Sequence, residues 1–374
     1  MRVLVAPDSF GGTLTAAEAG AAIADGWRRR RPDDRVTVLP VGDGGHGTLD
    51  ALRALGEVRA TAVEDALGRR VDAEWLLLPG GTAFVESAAA CGLHLLAPEE
   101  RDPLAATTAG VGDLVCAALG AGVRRVVVGV GGTATVDGGA GCAQALGAWL
   151  LDAAGHPLPP GGAALARLDR VTLDDLDPRL RDVEVVVAAD VDNALLGADG
   201  AAYGYGPQKG ADAAAVAALD AALARWAEVL DRDVPGAAGV AARPHAGAGG
   251  GLAAGLMAVC GARAEPGAGV VLGLLGVARQ VAKADLVVTG EGAFDWQSLR
   301  GKAPGAVART AAAEGLPCVV VAGQVSGGRR ELAAAGVDAA YAAADLAGSV
   351  EESMAAPGEW LAELAAHVAG EWSR

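Results

Sequence analysis

Acidic residues, two of them set directly beside glycine, close four apolar, strand-like runs in this 374-residue chain. They are Asp8 in Pro7-Asp-Ser-Phe-Gly-Gly12, Asp43 in Gly42-Asp-Gly-Gly-His-Gly-Thr48, Asp190 in Asp190-Val-Asp-Asn193, and Glu291 in Thr289-Gly-Glu-Gly-Ala-Phe-Asp295. Glycine lets the backbone approach a ligand, and a carboxylate can hold Mg²⁺ or accept a proton. One Asp-Gly is an ordinary turn. Four at strand ends suit Mg²⁺-dependent phosphoryl transfer, where the metal bridges oxygens that would otherwise repel the carboxylates.

Lysine points the same way. Of the 30 basic residues only Lys209, Lys283 and Lys302 are lysines. In a chain so biased to arginine, a retained lysine marks a place for a compact, flexible point charge. Lys209 and Lys302 adjoin glycine just before expected helix starts, a favourable place for phosphate or carboxylate. Lys283 reads as a solvated surface residue.

The stretch from Val126 to Gly141, VVVGVGGTATVDGGAG, runs from a strand into a glycine loop. Gly129-Val-Gly131-Gly-Thr-Ala134 formally fits a dinucleotide fingerprint, with Asp152 some twenty residues on, which keeps an NAD-dependent dehydrogenase as an alternative. Asp152 follows the expected helix too closely for a second strand. No Walker lysine follows these glycines, no histidine spacing suggests zinc, and no G-x-S-x-G elbow is present. His245, before another glycine run, reads as a loop histidine.

These groups need a scaffold of parallel strands. Val-rich runs at Arg2 to Ala6, Arg35 to Val41, Ala73 to Leu78, Arg125 to Val130, Glu184 to Ala189, Leu286 to Thr289, Pro317 to Ala322 and Asp338 to Ala343 alternate with helical segments. The first helix opens on a capping box, Thr15 with Glu18, and stops before Pro32. The fold class is α/β, with two domains expected from the length. Residues 1–70 plus 285–374 read as a discontinuous, doubly wound Rossmann-like domain, and 71–284 as an inserted second α/β domain, with the active cleft between them.

The net charge of −16 argues against nucleic acid. No apolar run is long enough to span a membrane, and five scattered cysteines without a leader-like N-terminus suggest reduced thiols in the cytoplasm.

Six ordered motifs, PDSFGGTLTA, GDGGHGT, GVGGTATVDGGAG, ADVDNALLG, GPQKGA and TGEGAFDWQSLRGKAP, resemble those of the bacterial glycerate kinase family across essentially the whole chain. The resemblance implies two α/β domains and ATP-dependent, Mg²⁺-assisted phosphorylation of D-glycerate, commonly to 2-phosphoglycerate, by a monomer or homodimer. With strand-end position, it makes Asp190 the expected base and Asp295 the second choice. Asp43 and Glu291 are expected on the metal, and Lys209 and Lys302 on the transferring phosphoryl group or substrate carboxylate. Asp8, Ser9, Gly131, Gly132, Thr133, Thr135, Asn193 and Ser298 are the expected substrate or nucleotide contacts, the glycine loop presenting N–H groups and the two threonine hydroxyls to ligand oxygens. The chain departs from the family pattern at Gly11, usually Lys, at His46, usually Glu, at Val136, usually Asn, at Ala293, usually Arg, and at Gly269, usually acidic. Those changes open two further alternatives: a kinase for a related hydroxy acid, or a non-catalytic ligand-binding relative.

Overall fold

The structure, a computed structural model, describes residues 1–372 apart from the side chains of Gln297, Arg300 and Arg329. The chain divides into two compact units, one of Met1–Asp43, Asp50–Ala54 and Gly267–Arg374, the other of Gly44–Leu49 and Leu55–Pro266.

The first unit is built on a five-stranded sheet ordered Ala339–Ala342, Cys318–Ala322, Leu286–Gly290, Arg2–Pro7, Arg35–Val38, all parallel. Strand order reverses at Arg2–Pro7 and Leu286–Gly290, so the carboxyl ends of these two strands flank a topological switch point. Alternation along the strands sends Val3, Val5, Val288, Val319 and Val321 into one core with Ile23, Trp27, Leu361, Leu364 and Val368. Leu4, Val287 and Val320 face the other way and are equally buried. That two-sided burial is why the strands read as continuous valine runs.

Two helices supply much of that first core. Ala16–Arg30 starts where expected: Glu18 N–H donates to Thr15 Oγ1 at 3.2 Å and Thr15 N–H to Glu18 Oε2 at 2.8 Å. It packs against Pro357–Glu371 so closely that a β-carbon at Gly26 would lie 1.9 Å from the carbonyl oxygen of Ala362.

The second unit carries a six-stranded mixed sheet ordered Arg263–Pro266, Glu184–Ala189, Arg125–Gly129, Thr82–Glu86, Arg70–Leu78, Glu57–Glu64. The last two strands form an antiparallel hairpin, Arg70–Leu78 also runs antiparallel to Thr82–Glu86, and the remaining pairs are parallel. A continuous core includes Val126, Val128, Val187, Leu223 and Trp226.

All eight expected strands are present, and both boundaries expected from sequence need correction. Glu57–Glu64 pairs along its whole length with Arg70–Leu78, which draws residues 55–70 into the second unit. Gly267–Leu275 and Val277–Val281 are helices that pack on Ala303–Ala313, which places 267–284 in the first unit. The glycine loop is not followed at once by a helix; Ala140–Ala145 is short and begins nine residues after Gly131. Asp152 accepts from its own turn, the N–H groups of Ala154 and His156, both at 2.9 Å. Neither is the arrangement of a dinucleotide site. No helix among the described residues is long and apolar enough to cross a membrane, and all five cysteines are free thiols.

Candidate functional site

In the first unit, Asp8, Asp43 and Glu291 lie at strand ends around Lys302. Lys302 caps the helix Ala303–Ala313 from the N-cap position, so its ammonium starts from a helix N-terminus as expected. Its Nζ donates to Glu291 Oε2 at 3.3 Å. Glu291 is buried, and its Oε1 has no hydrogen-bond partner among the described residues. Burial pushes the Glu291 carboxyl above its usual range, against the pull of Ser298 and Lys302. Burial and then the charge of Asp43 drive Asp8 well above the usual aspartate range; the Ser9 N–H, which donates to Asp8 Oδ1 at 2.6 Å, and Lys302 oppose them. Burial alone would lower the Lys302 ammonium, yet Glu291, Asp43 and Asp295 raise it on balance.

Three carboxylates share one ammonium here, and the excess negative charge is poorly solvated. No trio of candidate ligands among the described residues is already closed around a metal position. Mg²⁺ characteristically takes one or two protein carboxylates and completes its shell with phosphate and water. The buried oxygen of Glu291 that has no partner among the described residues fits such a partial donor set.

Asp295 and Ser298 serve the local fold. Asp295 N–H donates to Ser298 Oγ at 3.0 Å and Ser298 N–H to Asp295 Oδ1 at 3.2 Å, a reciprocal cap on the helix Trp296–Arg300. Ser298 is fully buried, and its hydroxyl faces the Ala293 carbonyl and Asp295. The expected ligand contact at Ser298 is therefore a helix cap.

In the second unit the glycine loop is held from beneath. A β-carbon at Gly129 would fall 2.4 Å from the carbonyl oxygen of Gly44, and one at Gly131 would fall 2.7 Å from Gly45 Cα, so only glycine permits these two loops to stack. Gly132 needs its glycine for a positive φ of 75° and accepts from Leu93 N–H. Much of the loop's donor set is engaged inside the protein: the N–H groups of Val130, Gly131, Ala134 and Gly138 reach Ala188, Gly44, Cys91 and Gly250 carbonyls. Asp137, fully buried, accepts from Thr108 N–H and Oγ1 and from the N–H groups of Gly139 and Gly141, at 2.8 to 3.1 Å. Burial nonetheless raises its carboxyl above the usual range.

Lys209 is drawn into the same structure. It is 3% exposed, and its Nζ donates to Thr135 O at 2.7 Å and Thr133 Oγ1 at 3.2 Å. Burial lowers its ammonium to about 8, while Cys91 and Asp137 pull upward. The helix expected just after it begins only at Ala213, capped by Asp212. Thr135 is also fully buried. Lys209 thus holds the loop from within through the Thr135 carbonyl and the Thr133 hydroxyl, while the buried Thr135 Oγ1 has no hydrogen-bond partner among the described residues.

A more open group stands at the end of Glu184–Ala189. Asp190 and Asp192 are exposed, and both charges raise the Tyr205 hydroxyl, after burial, to about 12. Tyr205 O–H donates to Asn193 Oδ1 and Asn193 Nδ2 donates to the Asp199 carbonyl, both at 2.6 Å. Asn193 is thereby fixed as part of the loop's frame. His245, in left-handed conformation at φ 70°, lies 2.7 Å through Nδ1 from the Val191 carbonyl.

His46 sits beside this loop system, its Nδ1 3.0 Å from the buried Glu86 carboxylate and its ring stacked on His94 at 3.9 Å. Glu86 also accepts from Gly47 and Leu49 N–H. Sequence reasoning passed over Asp137, Glu86 and Tyr205. Asp137 precedes two glycines and passes for a turn, and Glu86 reads as the last residue of a strand. Tyr205, one of three tyrosines, stands four residues before Lys209 and could have been found through that proximity.

A doubly wound sheet with carboxylates and lysine at its strand ends is the framework of an α/β enzyme that handles anionic small molecules. The comparisons with known proteins refine that class. The profile of the glycerate kinase family matches residues 3–373. A glycerate kinase of Halalkalibacterium halodurans is 41% identical, with 100% of this chain and 99% of that one covered. Glycerate 2-kinase of Escherichia coli is 40% identical over 94% and 93%. A crystal structure of a putative glycerate kinase 2 from Salmonella typhimurium superposes with a TM-score of 0.83 at 39% identity, covering 99% and 98% of the two chains. The chain belongs to the glycerate kinase family and is an enzyme of that kinase class.

Proposed function

We propose that this chain phosphorylates D-glycerate with ATP and Mg²⁺, 2-phosphoglycerate being the favoured product. The observation that carries the reading is the mutually repelling set of half-buried Asp8 and Asp43 and buried Glu291 against one lysine, with no hydrogen-bond partner for Glu291 Oε1 among the described residues. Such a set is stabilised by a bound cation. Family membership and the printed activities of the relatives support the substrate, and the name glycerate 2-kinase supports the product.

In this reading the glycerate hydroxyl oxygen attacks the γ-phosphorus and the bond to the β–γ bridging oxygen breaks, releasing ADP. Asp190 accepts the hydroxyl proton, since it is exposed at a strand end and its loop is fixed through Asn193 and Tyr205. Asp43 and Glu291 would hold Mg²⁺, which would supply neutralisation of the phosphate oxygens, and Lys302 adds a mobile positive charge. Lys209 positions Thr133 and holds the glycine loop. A related hydroxy acid is the second reading, favoured by the stacked His46–His94 pair, which puts a titratable imidazole where the family pattern has a carboxylate.

The test is ADP release from Mg·ATP with and without D-glycerate, with phosphorus NMR of the product. Glycerate-dependent ADP with the 2-phosphoglycerate resonance supports the reading. A 3-phosphoglycerate resonance would move the attack to the other hydroxyl, and ADP release only with another hydroxy acid would select the second reading.

A further inference from the structure

We infer that the apolar cavity at the switch point of the first unit's sheet is the pocket for the purine ring of the nucleotide, an inference that rests on the kinase reading above. The cavity is about 180 Å³, and its walls include Phe10, Thr13, Gly292, Ala293, Gln324 and Met354. These come from the loops that follow Arg2–Pro7, Leu286–Gly290 and Cys318–Ala322 and from the helix Val350–Ala355, so the cavity opens at the carboxyl ends of parallel strands where their order reverses. Ligands of doubly wound sheets bind at that position.

The walls suit a flat, weakly polar ring. Phe10, buried, and Met354, 55% exposed, both line the cavity, the latter with a soft, polarisable thioether. Thr13 and Gln324 supply polar atoms at the rim, and an amide side chain carries both the donor and the acceptor that a purine edge presents in complement. Backbone packing keeps the cavity's floor thin. A β-carbon at Gly292 would meet Phe10 and Gly11 backbone at 3.1 Å, and one at Gly323 would fall 2.4 Å from the Gly292 carbonyl oxygen.

The cavity's walls adjoin the charged set along the chain. Gly292 and Ala293 follow Glu291 in the chain, and Phe10 follows Asp8 by two residues. A purine seated here would send its phosphates toward Asp8, Glu291 and Lys302, where cation and ammonium neutralise them. A wider depression lies in the same sheet around Pro317 and Asp338, at the amino ends of its strands, opposite the end where ligands of this architecture bind.

The experiment uses the full chain with Met354→Asp and Val350→Asp, two positions on the outer wall away from the charged set. Each puts a carboxylate into the ring's environment. We expect KM for ATP and Kd for ADP to rise about tenfold or more in both, the size of one lost apolar contact plus a misplaced charge. KM for D-glycerate and kcat at saturating ATP should stay within about twofold, and Met354→Leu should restore nucleotide affinity. Folded variants that bind ADP and use ATP like the parent overturn the pocket while leaving the kinase reading intact. Loss of ADP binding in the variants of a chain that shows no D-glycerate-dependent turnover keeps the pocket and overturns the reading. Should either variant lose its circular dichroism signal, photo-crosslinking of the parent with 8-azido-ADP decides: label on residues 10–13, 292–293, 323–324 or 343–361 supports the pocket, and label elsewhere refutes it.

Discussion

The two units treat their buried charges in opposite ways. In the second, the Asp137 carboxylate accepts four hydrogen bonds, and the Lys209 ammonium gives two. In the first, Asp8, Asp43 and Glu291 repel one another around Lys302, and one buried oxygen of Glu291 has no partner among the described residues. A satisfied buried network rigidifies a loop, whereas an unsatisfied one stores free energy that a ligand releases on binding. The glycine loop, the most conspicuous stretch of the sequence, is accordingly held as a framework, and the proposed mechanism draws its chemistry from the less conspicuous strand ends.

Substitution can break this contrast. The largest expected effect is at the exposed Asp190: Asp190→Asn should lower kcat by roughly 10²- to 10⁴-fold with unchanged thermal unfolding, as measured by steady-state ADP release and calorimetry. Unchanged turnover would remove Asp190 from the role of base.

Lys209→Met should act on stability first. It leaves the Thr135 carbonyl and Thr133 hydroxyl without their donor, at a cost of about 1–3 kcal/mol in urea unfolding. The pH dependence gives the sign. The folded ammonium titrates near 8 against an ordinary lysine value of 10.5, so the unfolded chain binds more protons between these values and stability contributed here rises with pH across that window. The difference between parent and Lys209→Met should therefore grow from pH 8 to pH 10; a constant difference would contradict the burial of a titrating lysine.

Ser298→Ala is the smallest change. Removing a helix cap should cost about 1 kcal/mol, with kcat and both KM values nearly unmoved. A large loss of turnover with intact stability would return Ser298 to the ligand.

The sequence displayed the first unit well because its strands are buried on both faces, its first helix carries a reciprocal cap, and its carboxylates stand where parallel sheets bind ligands. Less legible was whatever depends on long-range packing. Nothing local tells that Glu57–Glu64 pairs with Arg70–Leu78, since its residues are mixed charged and apolar. The direction of Lys209 is likewise set from afar, by Thr133 and Thr135, more than seventy residues earlier. Motif spacing pointed to the strand-end carboxylates and could not separate a ligand contact from a brace.

The contrast is tested most directly by Asp8→Asn, measured for both thermal unfolding and turnover. Since burial and Asp43 raise the folded carboxyl well above its usual range, the parent loses stability as pH rises from that range through the raised value. The account predicts that Asp8→Asn unfolds roughly 2–4 °C higher than the parent at pH 7, that the gain vanishes in acid, and that glycerate-dependent ADP release falls at least tenfold. A variant less stable than the parent at pH 7, or one that keeps full turnover, would contradict it.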